Sequence, residues 1–73
     1  MPKISREQYE ENLIMTYHFI KTFIEKNNYS PSIREIALGT NKSVETVFNH
    51  VYELRELGKI DFAEGKARTI RLI

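Results

Sequence analysis

Ser43, Thr46 and Asn49 recur every third residue, which puts three short polar side chains on one side of a helix. Such groups hydrogen-bond well to the base edges exposed in a duplex groove. Asn49 suits adenine through a bidentate pair, and Glu45 can accept from the amino group of cytosine. Arg34 and Lys42 precede this segment, and Lys66 and Arg68 follow it. Cations so placed suit phosphate contacts, which supply affinity without selectivity. A solvated helix face has the same polarity, so the elements carrying these residues decide between the two readings.

Those elements are legible between Ser32 and Gly58. Ser32 followed by Glu35 is a capping-box signal, and Pro31 keeps the preceding residue extended. Ile33, Ile36 and Ala37 share a face of a short helix, which Gly39 is expected to end as a left-handed cap. After a tight turn Ser43 caps a second helix ending at Gly58. Its apolar stripe is Val44, Val47, Val51 and Leu54, widened by Phe48 and Leu57. Glu45, Thr46, Asn49, Tyr52, Glu53 and Glu56 lie on the far side. Two helices joined this tightly form a helix-turn-helix, whose second helix commonly enters the major groove.

Upstream, Ser5 to Gln8 is a capping pattern, and Tyr9, Leu13, Tyr17, Ile20 and Ile24 recur at helical spacing. Met15, Phe19 and Phe23 make a second stripe, suited either to burial on two sides or to a second copy of the chain. Asn27 to Pro31 is turn-rich and closes this helix. Beyond Gly58 the period falls from 3.6 to 2. Lys59–Phe62 and Thr69–Leu72 alternate, with Gly65 between them, which reads as a hairpin directing Ile60, Phe62, Ile70 and Leu72 at the helices. The spacing predicts one domain over residues 1–73: helices over about 5–27, 33–39 and 44–57, then a hairpin over about 59–73. The fold class is α+β and mostly helical, a three-helix winged helix-turn-helix with a C-terminal two-stranded β-hairpin.

Seventy-three residues support one small core without a deep catalytic cleft. The lack of cysteine excludes disulfides and thiolate metal sites. His18 and His50 sit on different helices and give little support for a metal, and His50 reads as a packing residue. No carboxylate pair, nucleophile–base constellation or phosphate loop points to an enzyme, and no cofactor is expected. No apolar run approaches a membrane span, so no membrane association and a cytoplasmic location are expected. The net charge is only +1, and residues 58–73 hold the basic excess in Lys59, Lys66, Arg68 and Arg71. Duplex DNA is the expected partner; the alternative is a winged-helix protein-interaction module without DNA specificity.

Three stretches resemble a known family: Tyr29-Ser-Pro-Ser-Ile-Arg-Glu-Ile-Ala, then Leu-Arg-Glu-Leu-Gly-Lys-Ile, then Ala67-Arg-Thr-Ile-Arg-Leu-Ile. They are similar to the N-terminal DNA-binding domain of LexA-type repressors, over roughly Met15 to Ile73. The resemblance implies an operator-binding transcriptional repressor that binds an inverted repeat as a dimer. It places base readout on Ser43, Glu45, Thr46, Phe48 and Asn49, and the wing on Gly65, Lys66 and Arg68. Phe48 stands where an acidic residue is usual, which implies an operator unlike the SOS box. Such repressors continue into a self-cleaving domain with a serine–lysine dyad and most of the dimer contact. This chain ends where that linker would begin, so it is expected to be either a fragment or a stand-alone regulator. A stand-alone form needs another dimer surface, with the N-terminal residues and the second stripe of the first helix as candidates.

Overall fold

The computed structural model describes residues 5–73, and residues 1–4, which begin the N-terminal segment considered above as a dimer surface, lie outside that range. The chain folds as α1 (Arg6–Asn27), α2 (Ile33–Thr40), α3 (Val44–Glu56), β1 (Ile60–Asp61) and β2 (Arg71–Leu72). The strands pair antiparallel, Ile60 with Leu72 and Asp61 with Arg71. This is the winged helix-turn-helix that the hydrophobic periods imply. Among the described residues no helix is long and apolar enough to cross a membrane, and no cluster of acidic and histidine side chains is placed to hold a metal.

Each helix starts on a serine. Ser5 accepts from the Gln8 amide, Ser32 from Glu35 and Ser43 from Thr46, each at 3.1 Å, so one otherwise orphaned amide per helix is satisfied. Ser32 completes a capping box, donating its own amide to the Glu35 carboxylate at 2.8 Å. The C-termini of α2 and α3 close on left-handed residues. After α3, Gly58 (φ 75°) lets Lys59 N–H reach the Leu54 carbonyl. After α2 the same job falls to Asn41 (φ 56°), whose neighbour Lys42 donates to Ala37.

Gly39, expected to be that cap, lies inside α2 instead. Its small size serves packing: a Cβ there would collide with the ring of Phe19. Part of the second stripe of α1 is thereby consumed within the chain, Phe19 against α2 and Phe23 edge-on to Tyr29 at 5.5 Å. Met15 remains 55% exposed.

The core joins Leu13 and Ile20 of α1, Ile36 and Ala37 of α2, Val47, Val51 and Leu54 of α3, and Ile60 and Ile70 of the hairpin. Burying each large aliphatic side chain contributes roughly 1.5–3 kcal/mol. Val44, expected within the α3 stripe, and Phe48 and Leu57, expected to widen it, stand exposed. Their place in the core is taken by His50, which is 2% exposed and lies on the same side as Val47, Val51 and Leu54. Thr16 donates its only hydroxyl proton to the Asn12 carbonyl at 3.0 Å, so Nδ1 of His50 carries a proton and donates to Thr16 Oγ1 at 2.8 Å. This tautomer is assigned from the hydrogen-bond network. The Tyr9 ring meets the imidazole edge-on.

The hairpin pairs over fewer residues than its alternation suggests. Phe62 and Ile70 still pack on the core, but Ile70 N–H donates to Ser30 Oγ at 3.1 Å instead of to a strand partner. Thr69 Oγ1 accepts from the Ala63 amide and ties the loop across at 2.9 Å.

Two outcomes follow from this packing. Alanine for glycine inside a helix ordinarily gains about 1 kcal/mol; Gly39→Ala is expected to lose stability because Phe19 is displaced, and to gain it in a Phe19→Ala background, as read by urea denaturation. Burial, and then the nearby Lys42 charge, hold the His50 pKa below its usual value. The unfolded chain therefore takes up the proton first. The stabilisation is complete above the ordinary histidine value of about 6.5 and is lost as pH falls below it towards the lowered native value. The denaturation midpoint should fall between pH 7.5 and 5.5, less steeply in His50→Gln.

Candidate nucleic-acid interface

With Val47, His50, Val51 and Leu54 turned inward, helical geometry turns Glu45, Asn49, Tyr52 and Glu56 outward. All four are exposed. Phe48, 44% exposed, occupies the shoulder of this face nearest the wing. A groove of about 340 Å³ lies there, walled by Phe48 and Tyr52 of α3, Phe62, and the wing from Ala63 to Thr69. Lys66 lies on the wing side of the groove and Phe48 on the helix side, so the two flank one concave surface.

The residues named for base readout are not equivalent. Asn49, Glu45 and Phe48 are exposed. Ser43 and Thr46 are partly committed: Ser43 Oγ accepts from the Thr46 amide and donates to Thr46 Oγ1 at 2.9 Å. The Thr46 hydroxyl keeps its proton for an outside acceptor, although the residue is half-buried.

The phosphate candidates divide likewise. Arg34 and Lys66 are exposed, with no ion pair among the described residues. Lys42 donates to Asn12 Oδ1 of α1 at 3.3 Å. Arg68 is engaged on three sides. Its guanidinium pairs with the Glu35 carboxylate at 2.8 Å, donates to the Ser30 carbonyl at 3.2 Å and lies over the Tyr29 ring. Its φ of 56° is one a non-glycine residue holds only at a cost, about 1–2 kcal/mol. The same Glu35 oxygen closes the capping box of α2, and the Ser32 amide, then Arg68, hold its carboxyl below the usual carboxylate range. Arg68 is therefore a latch between wing and α2 rather than a free cation at the wing tip.

A second brace comes from α3. Arg55 pairs with Glu64 of the wing at 2.8 Å, its guanidinium stacked 4.4 Å from the Phe62 ring centre. Arg71 pairs with Asp61 across the strands at 3.1 Å. None of these braces was legible in the sequence: Glu35 and Arg68 share no local period, and the wing has no regular structure to extrapolate.

Comparison with known proteins agrees with this geometry. Residues 3–69 match the model of the LexA DNA binding domain. The chain belongs to that family. It is 37% identical to the LexA repressor of Moorella thermoacetica over 62 residues, 84% of this chain and 30% of that protein. It is 41% identical to the LexA repressor of Thermotoga maritima over 54 residues, 74% of this chain and 27% of the relative. For Clostridium kluyveri the figures are 40% over 58 residues, 78% and 29%. The chain thus spans under a third of these relatives, and the match falls on the family's DNA-binding domain.

If the latch holds the wing as described, Arg68→Gln and Glu35→Gln should each speed hydrogen exchange at the Ile70 amide several-fold. The effect of the double variant should be much less than additive, because both substitutions remove the Arg68–Glu35 pair.

Proposed function

We propose that the chain reads a specific duplex DNA sequence and represses transcription from an operator, with α3 entering the major groove by its N-terminal half. One observation carries this reading: in a chain of the LexA DNA-binding family, Asn49 stands exposed on α3, and Phe48 next to it lines the groove that the wing borders. Asn49 makes the principal base contact, a bidentate pair to adenine, and Glu45 and Thr46 add contacts nearer the helix start. Lys66, Arg34 and the positive end of the α3 dipole meet phosphates. Glu53 and Glu56 keep the C-terminal half of the helix away from the backbone. An inverted repeat bound by two copies in the cytoplasm completes the reading, and base readout through a symmetric pair explains how so small a surface achieves selectivity.

The low net charge suits the competing view of a protein-interaction module, and salt separates the two. A DNA binder shows log affinity falling steeply with log salt concentration, by about 0.9 for each phosphate neutralised; a flat response on every duplex selected from a random pool would exclude the DNA reading.

Within the DNA reading, Asn49→Ala is expected to lose roughly 1–3 kcal/mol of discrimination at one base position. Lys66→Ala should weaken all sequences alike and reduce the salt slope by about one. Anisotropy titrations on selected and scrambled duplexes at several salt concentrations distinguish these outcomes.

A further inference from the structure

We infer that Phe48 is a specificity-determining residue that selects thymine through its 5-methyl group. The inference rests on the DNA-binding reading above and deepens it. Phe48 is a large apolar side chain held 44% exposed on α3. It adjoins Asn49 in sequence and lines the groove between α3 and the wing. Packing does not explain the exposure. The core passes through Val47 and Val51, and Tyr52 and Phe62 meet each other edge-on at 5.3 Å, leaving the Phe48 ring outside both.

A phenyl ring has no donor and no acceptor, so its match in the major groove follows from the chemistry of the base edges. Guanine presents two acceptors there, cytosine an amino donor, and adenine one of each. Thymine alone adds a methyl group. A phenyl ring pressed on any other edge strips water from a polar group and returns nothing, so the residue selects by exclusion as well as by attraction. Asn49, one residue along the helix, then reads an adenine near that thymine, and the pair favours A·T-rich positions.

The test replaces thymines by uracil, which removes the methyl and leaves pairing and polar groups intact. Duplexes are first enriched from a random pool by the intact chain. Each thymine is then changed singly, and affinities are measured for wild type, Phe48→Ala, Phe48→Leu and Phe48→Gln, with thermal melts confirming that every variant is folded. One uracil position should weaken wild type roughly fourfold, the worth of one buried methyl. Phe48→Leu should keep most of that discrimination, and Phe48→Ala and Phe48→Gln should abolish it. Enrichment of a sequence whose uracil effects are the same in wild type and Phe48→Ala overturns the role of Phe48 while leaving DNA reading intact. Failure to enrich any sequence overturns both.

Discussion

A hydrogen bond of 2.8 Å between Thr16 and His50 ties α1 to α3 at the centre of the domain. Valines can seat a helix in a core over a range of rotations, since dispersion and burial are non-directional. A hydrogen bond cannot, because it weakens steeply off axis. The bond therefore fixes how α3 is rolled, and with it which side chains face out. Asn49 immediately precedes His50, so turning the imidazole inward turns the amide outward by one residue's rotation. The outer face of α3 is thus set by the inner face of α1, through a pair far apart in sequence.

Placement of the wing follows a different logic. Two paired residues per strand are marginal support for a hairpin. Arg68–Glu35 and Arg55–Glu64 grip the loop from α2 and α3. Each is a solvent-screened surface pair that adds little alone. Both guanidiniums also lie over aromatic rings, Arg68 on Tyr29 and Arg55 on Phe62, which adds area and direction. Several of the basic residues are consumed in this way, and the +1 net charge counts cations that serve structure. In the proposed reading the wing meets phosphate mainly through Lys66, held in place by arginines that do not touch it.

Local chemistry made most of the fold legible. Serine caps, helical periods and the switch to alternation mark every element, because each signal lies within a few residues of its effect. Gly39 shows the limit. Glycine at a helix end and glycine under an aromatic ring look alike in sequence; only the approach of Phe19 from another helix separates them. Asn41 could then serve as the cap because asparagine tolerates the left-handed region. Arg68 shows the same limit at the site. Its basic type suited phosphate, but its partners Glu35, Ser30 and Tyr29 are brought to it by tertiary structure, with no sequence period to announce them. Phe48 was read on both faces of α3, and the rotation fixed by His50 resolved it outward.

The polarity of α3 adds a constraint on how such a surface meets DNA. Its first turn holds amides that Ser43 satisfies only in part, so the N-terminal end stays electropositive. Its last turns carry Glu53 and Glu56, while Arg55 is drawn aside to Glu64. The potential thus runs from favourable to unfavourable for phosphate along one short helix. A helix lying flat along the groove would bring its acidic end against the backbone. In the proposed reading, entry by the N-terminal end avoids this and would bring Glu45, Phe48 and Asn49 to the base edges first. Tyr52, one turn further on, is left beside the wing.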